Sequence, residues 1–182
     1  IYIKDTYIEN GLLGVEQLTS SISNYIIESD LPGNILSNLK KVDKLEIWDS
    51  KFRSDLNLSK LQSALRIDFD GIDATVLDLS ALQNNAIGPH INFRNGSTVS
   101  LNIEEIRLNS VKHLGTLRIN QPKLKRLNLT SLTTANILEI QSDEIEILDL
   151  PGLTTANSVF IKGEQLNTIR VPALKEAGKL FF

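Results

Sequence analysis

Residues 124–144 read LKRLNLTSLTTANILEIQSDE, and residues 145–165 read IEILDLPGLTTANSVFIKGEQ. The two stretches are adjacent, equal in length and share the pentapeptide LTTAN. The same 21-residue step extends backwards to IEEIRLNSVKHLGTLRINQPK (103–123) and forwards to LNTIRVPALKEAGKLFF (166–182). Apolar positions hold register throughout. Ile106, Leu127, Leu148 and Ile169 form one column, and Leu108, Leu129, Leu150 and Val171 a second. Val111, Leu132, Leu153 and Leu174 form a third, Leu114, Ala135, Ala156 and Ala177 a fourth, and Ile119, Ile140, Ile161 and Phe182 a fifth.

Each copy holds a short alternating apolar segment, a polar corner and a second alternating segment. Alternation with period two means strands, because successive strand side chains point to opposite faces. A copy this short buries its apolar row only when other copies lie above and below it. The predicted fold is therefore all-β: a right-handed parallel β-helix, or leucine-rich-repeat-like solenoid, of ~21-residue coils with two main sheets. Coils about 4.8 Å apart would make seven or eight of them a rod of roughly 35 Å. The small Ala135 column suits a tight interior corner.

The register reappears in LPGNILSNLKKVDKLEIWDSK (31–51). A shortened copy at about 52–73 and a lengthened one at about 74–102 keep it in LNLSKL (56–61) and LDLSAL (77–82). The largest break is an insertion at about 83–102, whose turns are marked by Gly88-Pro89 and Asn95-Gly96. Insertions in a solenoid loop out on one face, often a binding face. Residues 1–30 fit less well. Tyr25 and Ile27 suit one more second segment, while Val15, Leu18, Ile22 and Tyr25 have helical spacing and suit a cap. One domain over 1–182 is expected, with 1–30 as cap or irregular first coils and 31–182 as repeats. Because the chain begins at Ile1 and shows no polar cap after Phe182, it is expected to be part of a longer protein with flanking domains.

Composition narrows the classes. Hydrophobic residues make up 41% of the 182, charged residues 23%, and the net charge is −3 with signs interspersed. That is ordinary for a globular domain and lacks the basic stripe of a nucleic-acid binder. No apolar run is long enough for a spanning helix. Cysteine is absent, which removes disulfides, thiolate catalysis and zinc–sulfur sites.

The repeats LDLPGLTTANSVFIKG and IRVPALKEAGKLFF resemble those of the receptor L-domain family, over about residues 31–182. That family includes the ligand-binding lobes of insulin- and EGF-type receptors and GPI-anchored fungal wall proteins, and bacterial surface leucine-rich proteins carry similar repeats. Leu132 and Leu153 stand where ordinary leucine-rich repeats place an asparagine ladder, so the ordinary horseshoe is not expected. The eukaryotic receptors carry cysteines and this chain has none, so the resemblance implies a bacterial cell-surface leucine-rich protein.

Few residues promise chemistry. Asp68-Phe-Asp70-Gly71-Ile-Asp73 has calcium-like spacing but lacks the remaining ligands of an EF-hand loop, and reads as a polar turn with Gly71 at positive φ. His90 and His113, the two histidines, lie far apart and read as surface residues. No serine has a nucleophile context. Asn57, Asn95 and Asn128 begin glycosylation sequons, relevant in a eukaryotic secretory setting. No cofactor or metal is expected. The outward columns say more. Arg107, Asn128, Asp149 and Arg170 share one, with Glu105 and Arg126 beside it, and read as a charge-balanced solvated sheet. In the second strand Arg118, Glu139, Phe160 and Phe181 share a column, and Trp48 lies one outward register along. Adjacent exposed aromatics mark a contact.

The expected function is a non-enzymatic cell-surface or secreted binding or adhesion module. Its partner would be a protein or polysaccharide; it neither binds nucleic acid nor spans a membrane. Phe160, Phe181, Arg118, Glu139 and Trp48 are its candidate contacts, joined by His90, Phe93 and Arg94 of the insertion. The alternatives are a carbohydrate-active β-helix enzyme, which needs carboxylates converging in a groove, and a structural spacer.

Overall fold

A computed structural model of the protein describes residues 1–4, 15–52, 55–83, 88–94 and 102–182. The strands are β1 (Tyr2–Lys4), β2 (Ser20–Ile27), β3 (Asp30–Leu31), β4 (Lys41–Phe52), β5 (Ser63–Asp73), β6 (Val76–Asp78), β7 (His90–Arg94) and β8 (Glu105–Arg107). They continue as β9 (His113–Asn120), β10 (Arg126–Asn128), β11 (Thr134–Gln141), β12 (Ile147–Asp149), β13 (Thr155–Lys162), β14 (Thr168–Arg170) and β15 (Glu176–Phe181). The one helical element among the described residues is a 3-10 turn, Val15–Gln17. The helical spacing of Val15 to Tyr25 is thus not used; Tyr25 and Ile27 lie on β2, as a second segment.

All pairings are parallel. A ten-stranded sheet runs β1-β2-β4-β5-β7-β9-β11-β13-β15, with β3 beside the end of β4. A three-stranded sheet, β10-β8-β6, and a two-stranded one, β12-β14, form a second wall. The chain is a β-solenoid of about seven turns. Ala135 pairs with Leu114 and Ala156, and Leu138 with Leu117 and Val159, which is the 21-residue register of the repeat.

The repeated LTTAN has a local cause. The hydroxyl of Thr133 donates to the Lys112 carbonyl one coil earlier (2.8 Å), and that of Thr154 to the Thr133 carbonyl (3.0 Å). Ala135 and Ala156 are buried at the inner corner, where nothing larger is needed. The Asn157 amide donates to Asn136 Oδ1 at 3.1 Å on the outside. Thr154 and Asn157 thus bond their own copies in the preceding coil, and Thr155 and Ala156 pair in register with Thr134 and Ala135.

The core runs from Ile3 to Ile161, and the last coil, with β15, is exposed. Leu45, Ile67, Ile91, Leu117 and Leu138 fill one inward column, and Ile47, Phe69, Phe93, Ile119 and Ile140 the next, all essentially inaccessible. Asn24 occupies the first of these columns, paired in register with Leu45. It is fully buried, and among the described residues neither its Nδ2 nor its Oδ1 has a hydrogen-bond partner. Such a group costs its desolvation without return. Asn24→Leu should therefore stabilise the fold by about 1–2 kcal/mol, read as a higher urea midpoint; an unchanged or lower midpoint would refute this account.

The middle of the chain departs from the expected copies. Leu45 pairs with Ile67, a step of 22, and Ile67 with Ile91, a step of 24. The coil at 52–73 is thus not shortened. Nor does all of 83–102 loop out: His90–Arg94 is β7, in the middle of the long sheet between β5 and β9. Residues 84–87 and 95–101, including Asn95-Gly96, lie outside the described residues. Phe93 is consequently not a surface contact. It is 1% exposed and packs on Phe69 with ring centroids 5.4 Å apart.

Candidate functional site

Three columns of side chains stand on the outward face of the long sheet. The central one runs Tyr25, Glu46, Asp68, Asn92, Arg118, Glu139, Phe160, Phe181, each paired in register with the next. One flank carries Lys44, Arg66, His90 and Thr116, and the other Trp48, Asp70 and Arg94. Trp48, His90, Arg94, Arg118, Glu139, Phe160 and Phe181 all lie on this one face. From β4 to β15 it spans six strand spacings, about 30 Å.

Its ends are apolar. Trp48 is 41% exposed. Phe160 is 38% exposed despite strands on both sides, and its ring centroid lies 6.5 Å from that of Phe181. Between these ends the central column is polar. Glu46 and Asp68 are buried although they point outward, because Lys44 and Arg66 of the flanking column engage them. Lys44 lies 2.9 Å from Glu46, whose hydrogen bond holds the ammonium above its ordinary pKa. Arg66 bonds Asp68 through Nε, which raises the guanidinium in the same way. The Asn92 amide donates to the other Asp68 oxygen at 2.5 Å. Arg118 bonds Glu139 through Nε at 3.1 Å.

Arg66, His90, Asn92, Arg94, Thr116 and Arg118 line a depression of about 430 Å³ on this face. The alternation of β5, β7 and β9 aims these side chains outward together. Asn92 and Thr116 form its buried floor, and the four basic side chains are exposed around it. The His90 ring rests on Gly115, where a Cβ would stand 3.1 Å from both Cε1 and Nε2. Residue sequence thus singled out His90, Arg94 and Arg118, and the structure brings them together. Arg66, Asn92 and Thr116 went unnoticed because a 24-residue coil shifts Arg66 out of the 21-residue register.

A larger depression, about 600 Å³, lies on the second wall where β10 and β12 fail to pair. Glu105, Glu144, Glu146 and Asp149 gather there with Lys125 and Arg126. Several of these charges are already engaged. Lys125 reaches Glu104 at 3.1 Å and Glu144 at 3.6 Å, and Arg126 reaches Glu105 at 2.9 Å. Glu105 also accepts from Arg107 at 2.7 Å, and these guanidinium bonds hold its carboxyl below the ordinary 4.5. A glycosidic general acid needs the opposite shift.

The remaining sequence candidates are placed as follows. Asp68, Asp70 and Asp73 lie along β5 rather than in a turn, although Gly71 does adopt φ 68°. Asp73 accepts from the Asn102 amide at 2.9 Å. Among the described residues no three His, Cys, Asp or Glu side chains gather as they would to hold a metal ion. His113, exposed at the start of β9, bonds the Thr134 hydroxyl through Nδ1 at 2.8 Å. Arg107 bridges Glu105 and Asp78, so that outward column is charge-balanced. No described helix is long and apolar enough to cross a membrane. Comparison of the chain with protein-family models, with curated proteins and with solved structures found no match.

Proposed function

We propose that the chain is a non-enzymatic recognition module of a cell-surface or secreted protein. It binds a protein or glycan across the outward face of the long sheet. The observation that carries this reading is that one rigid face joins the exposed Trp48 and Phe160 to the basic depression between them. Exposed aromatics beside a polar floor are the composition of a contact surface. A spacer would have no use for either. The resemblance to receptor L-domain repeats supports the same reading, with a bacterial surface protein as the source.

The test is a panel of purified polysaccharides and extracellular-matrix proteins, scored together for retained protein and for released reducing ends. Retention without release supports recognition; release of new ends supports the carbohydrate-active enzyme instead, and neither supports the spacer. On the retaining partner, Phe160→Ser combined with Phe181→Ser should weaken binding about tenfold or more. The same variant should lose less than about 1 kcal/mol of stability, since the rings pair in the open. Undiminished binding would show that this end of the face takes no part.

A further inference from the structure

We infer that the depression on the long sheet is a subsite for the carboxylate or sulfate of an acidic polysaccharide. This rests on the reading of that face as a recognition surface. The basic groups Arg66, Arg94, Arg118 and His90 surround it, and no carboxylate is part of its lining. Arg66 and Arg118 meet their carboxylate neighbours through Nε. A guanidinium has five N–H donors, so each keeps four in a planar fork suited to a two-oxygen anion. Among the described residues the side chains of Arg94 and His90 make no hydrogen bond. Beneath the three guanidinium groups and the imidazole, Asn92 and Thr116 offer an amide and a hydroxyl, the partners that sugar hydroxyls require.

Two further observations favour a polysaccharide over another anion. Trp48 stands in the same outward column as Arg94, two strands away through Asp70, about 10 Å along the solenoid axis. An exposed indole offers a flat apolar surface for the C–H face of a sugar ring. The column thus presents a stacking platform and then an anion subsite along one line, as an extended charged polymer would need. The whole chain carries −3. Its average field repels a polyanion, so retention on one requires a local basic site.

The experiment measures affinity for immobilised polygalacturonate, heparin and neutral dextran at about 0.15 M salt. It compares the natural chain with an Arg94→Gln, Arg118→Gln variant. Arg94 makes no ion pair among the described residues, and the Arg118–Glu139 pair is about half exposed on both sides, so the variant should melt as the natural chain does. The expected result is retention on an acidic polymer, none on dextran, and at least about tenfold weaker binding by the variant. Polygalacturonate against heparin separates a carboxylate from a sulfate ligand. Equal binding by natural chain and variant would overturn the inference, as would equal retention on dextran. Retention confined to matrix proteins or neutral glycans would overturn it too, while leaving the recognition module standing. No retention on any partner, here or in the wider panel, would overturn both.

Discussion

Phe93→Ala should be among the most damaging single truncations in this chain, lowering stability by about 3–5 kcal/mol. Phe93 is 1% exposed on β7, and its ring lies 5.4 Å from that of Phe69 on β5. Truncation removes the buried ring and leaves a void lined by Phe69 and the inward Ile119 of the next coil, which Phe93 meets in register. In a solenoid each coil is held by its neighbours, so a defect at β7 weakens the coupling of the coils on either side. A natural domain has about 5–15 kcal/mol in total, so the loss is a large share. Urea unfolding followed by circular dichroism measures it. The result also distinguishes a core role from a contact role. A core Phe93 lowers the midpoint and spares binding at temperatures where the variant is folded. A contact Phe93 would spare the midpoint and weaken binding.

Gly88→Ala should cost about 3 kcal/mol, from two additive sources. Gly88 has φ +75°, in the left-handed region where a side chain costs about 1–2 kcal/mol. A Cβ there would also stand 2.7 Å from the Gly115 nitrogen and 2.7 Å from the His113 carbonyl oxygen. Both are backbone atoms of β9, which cannot swing aside as a side chain can, and crowding of this kind costs about 1–3 kcal/mol. The substitution would push β7 away from β9 at the point where the His90 ring rests on Gly115. Gly88→Ala should therefore lower the melting temperature and weaken acidic-polysaccharide binding together. A melting temperature within a degree or two of the natural chain's would mean that the coil absorbs the methyl group.

Much of the architecture is legible in the repeats. Between Ile103 and Phe182 the 21-residue period places Leu127 on Ile106 and Ala156 on Ala135, and the pairings are those. Regular coils keep their register because each inward apolar position meets another apolar residue at the same position of the adjacent coil. Legibility fails between Phe52 and Asn102. There the steps become 22, 24 and 26 residues, a fixed period no longer aligns Arg66 with His90, and β7 reads as part of an insertion. Alternation was still present in HINFR, with Ile91 and Phe93 inward and His90, Asn92 and Arg94 outward, but five residues between turn signals are too few to outweigh a broken period.

The amino-acid sequence by itself determined that this chain is a stack of parallel strands. Period-two alternation repeated at a constant step leaves no other way to bury so short an apolar row. It also determined which side chains of the regular coils face outward, Phe160, Arg118 and Glu139 among them. Only the tertiary structure decided which outward side chains meet. Arg66, His90 and Arg118 are separated by 24 and 28 positions in the chain, yet strand pairing at about 4.8 Å sets them around one buried asparagine. The split between β10 and β12 and the desolvation of Asp68 beneath Arg66 are likewise tertiary. They depend on coil lengths and on neighbouring side chains, neither of which local periodicity records.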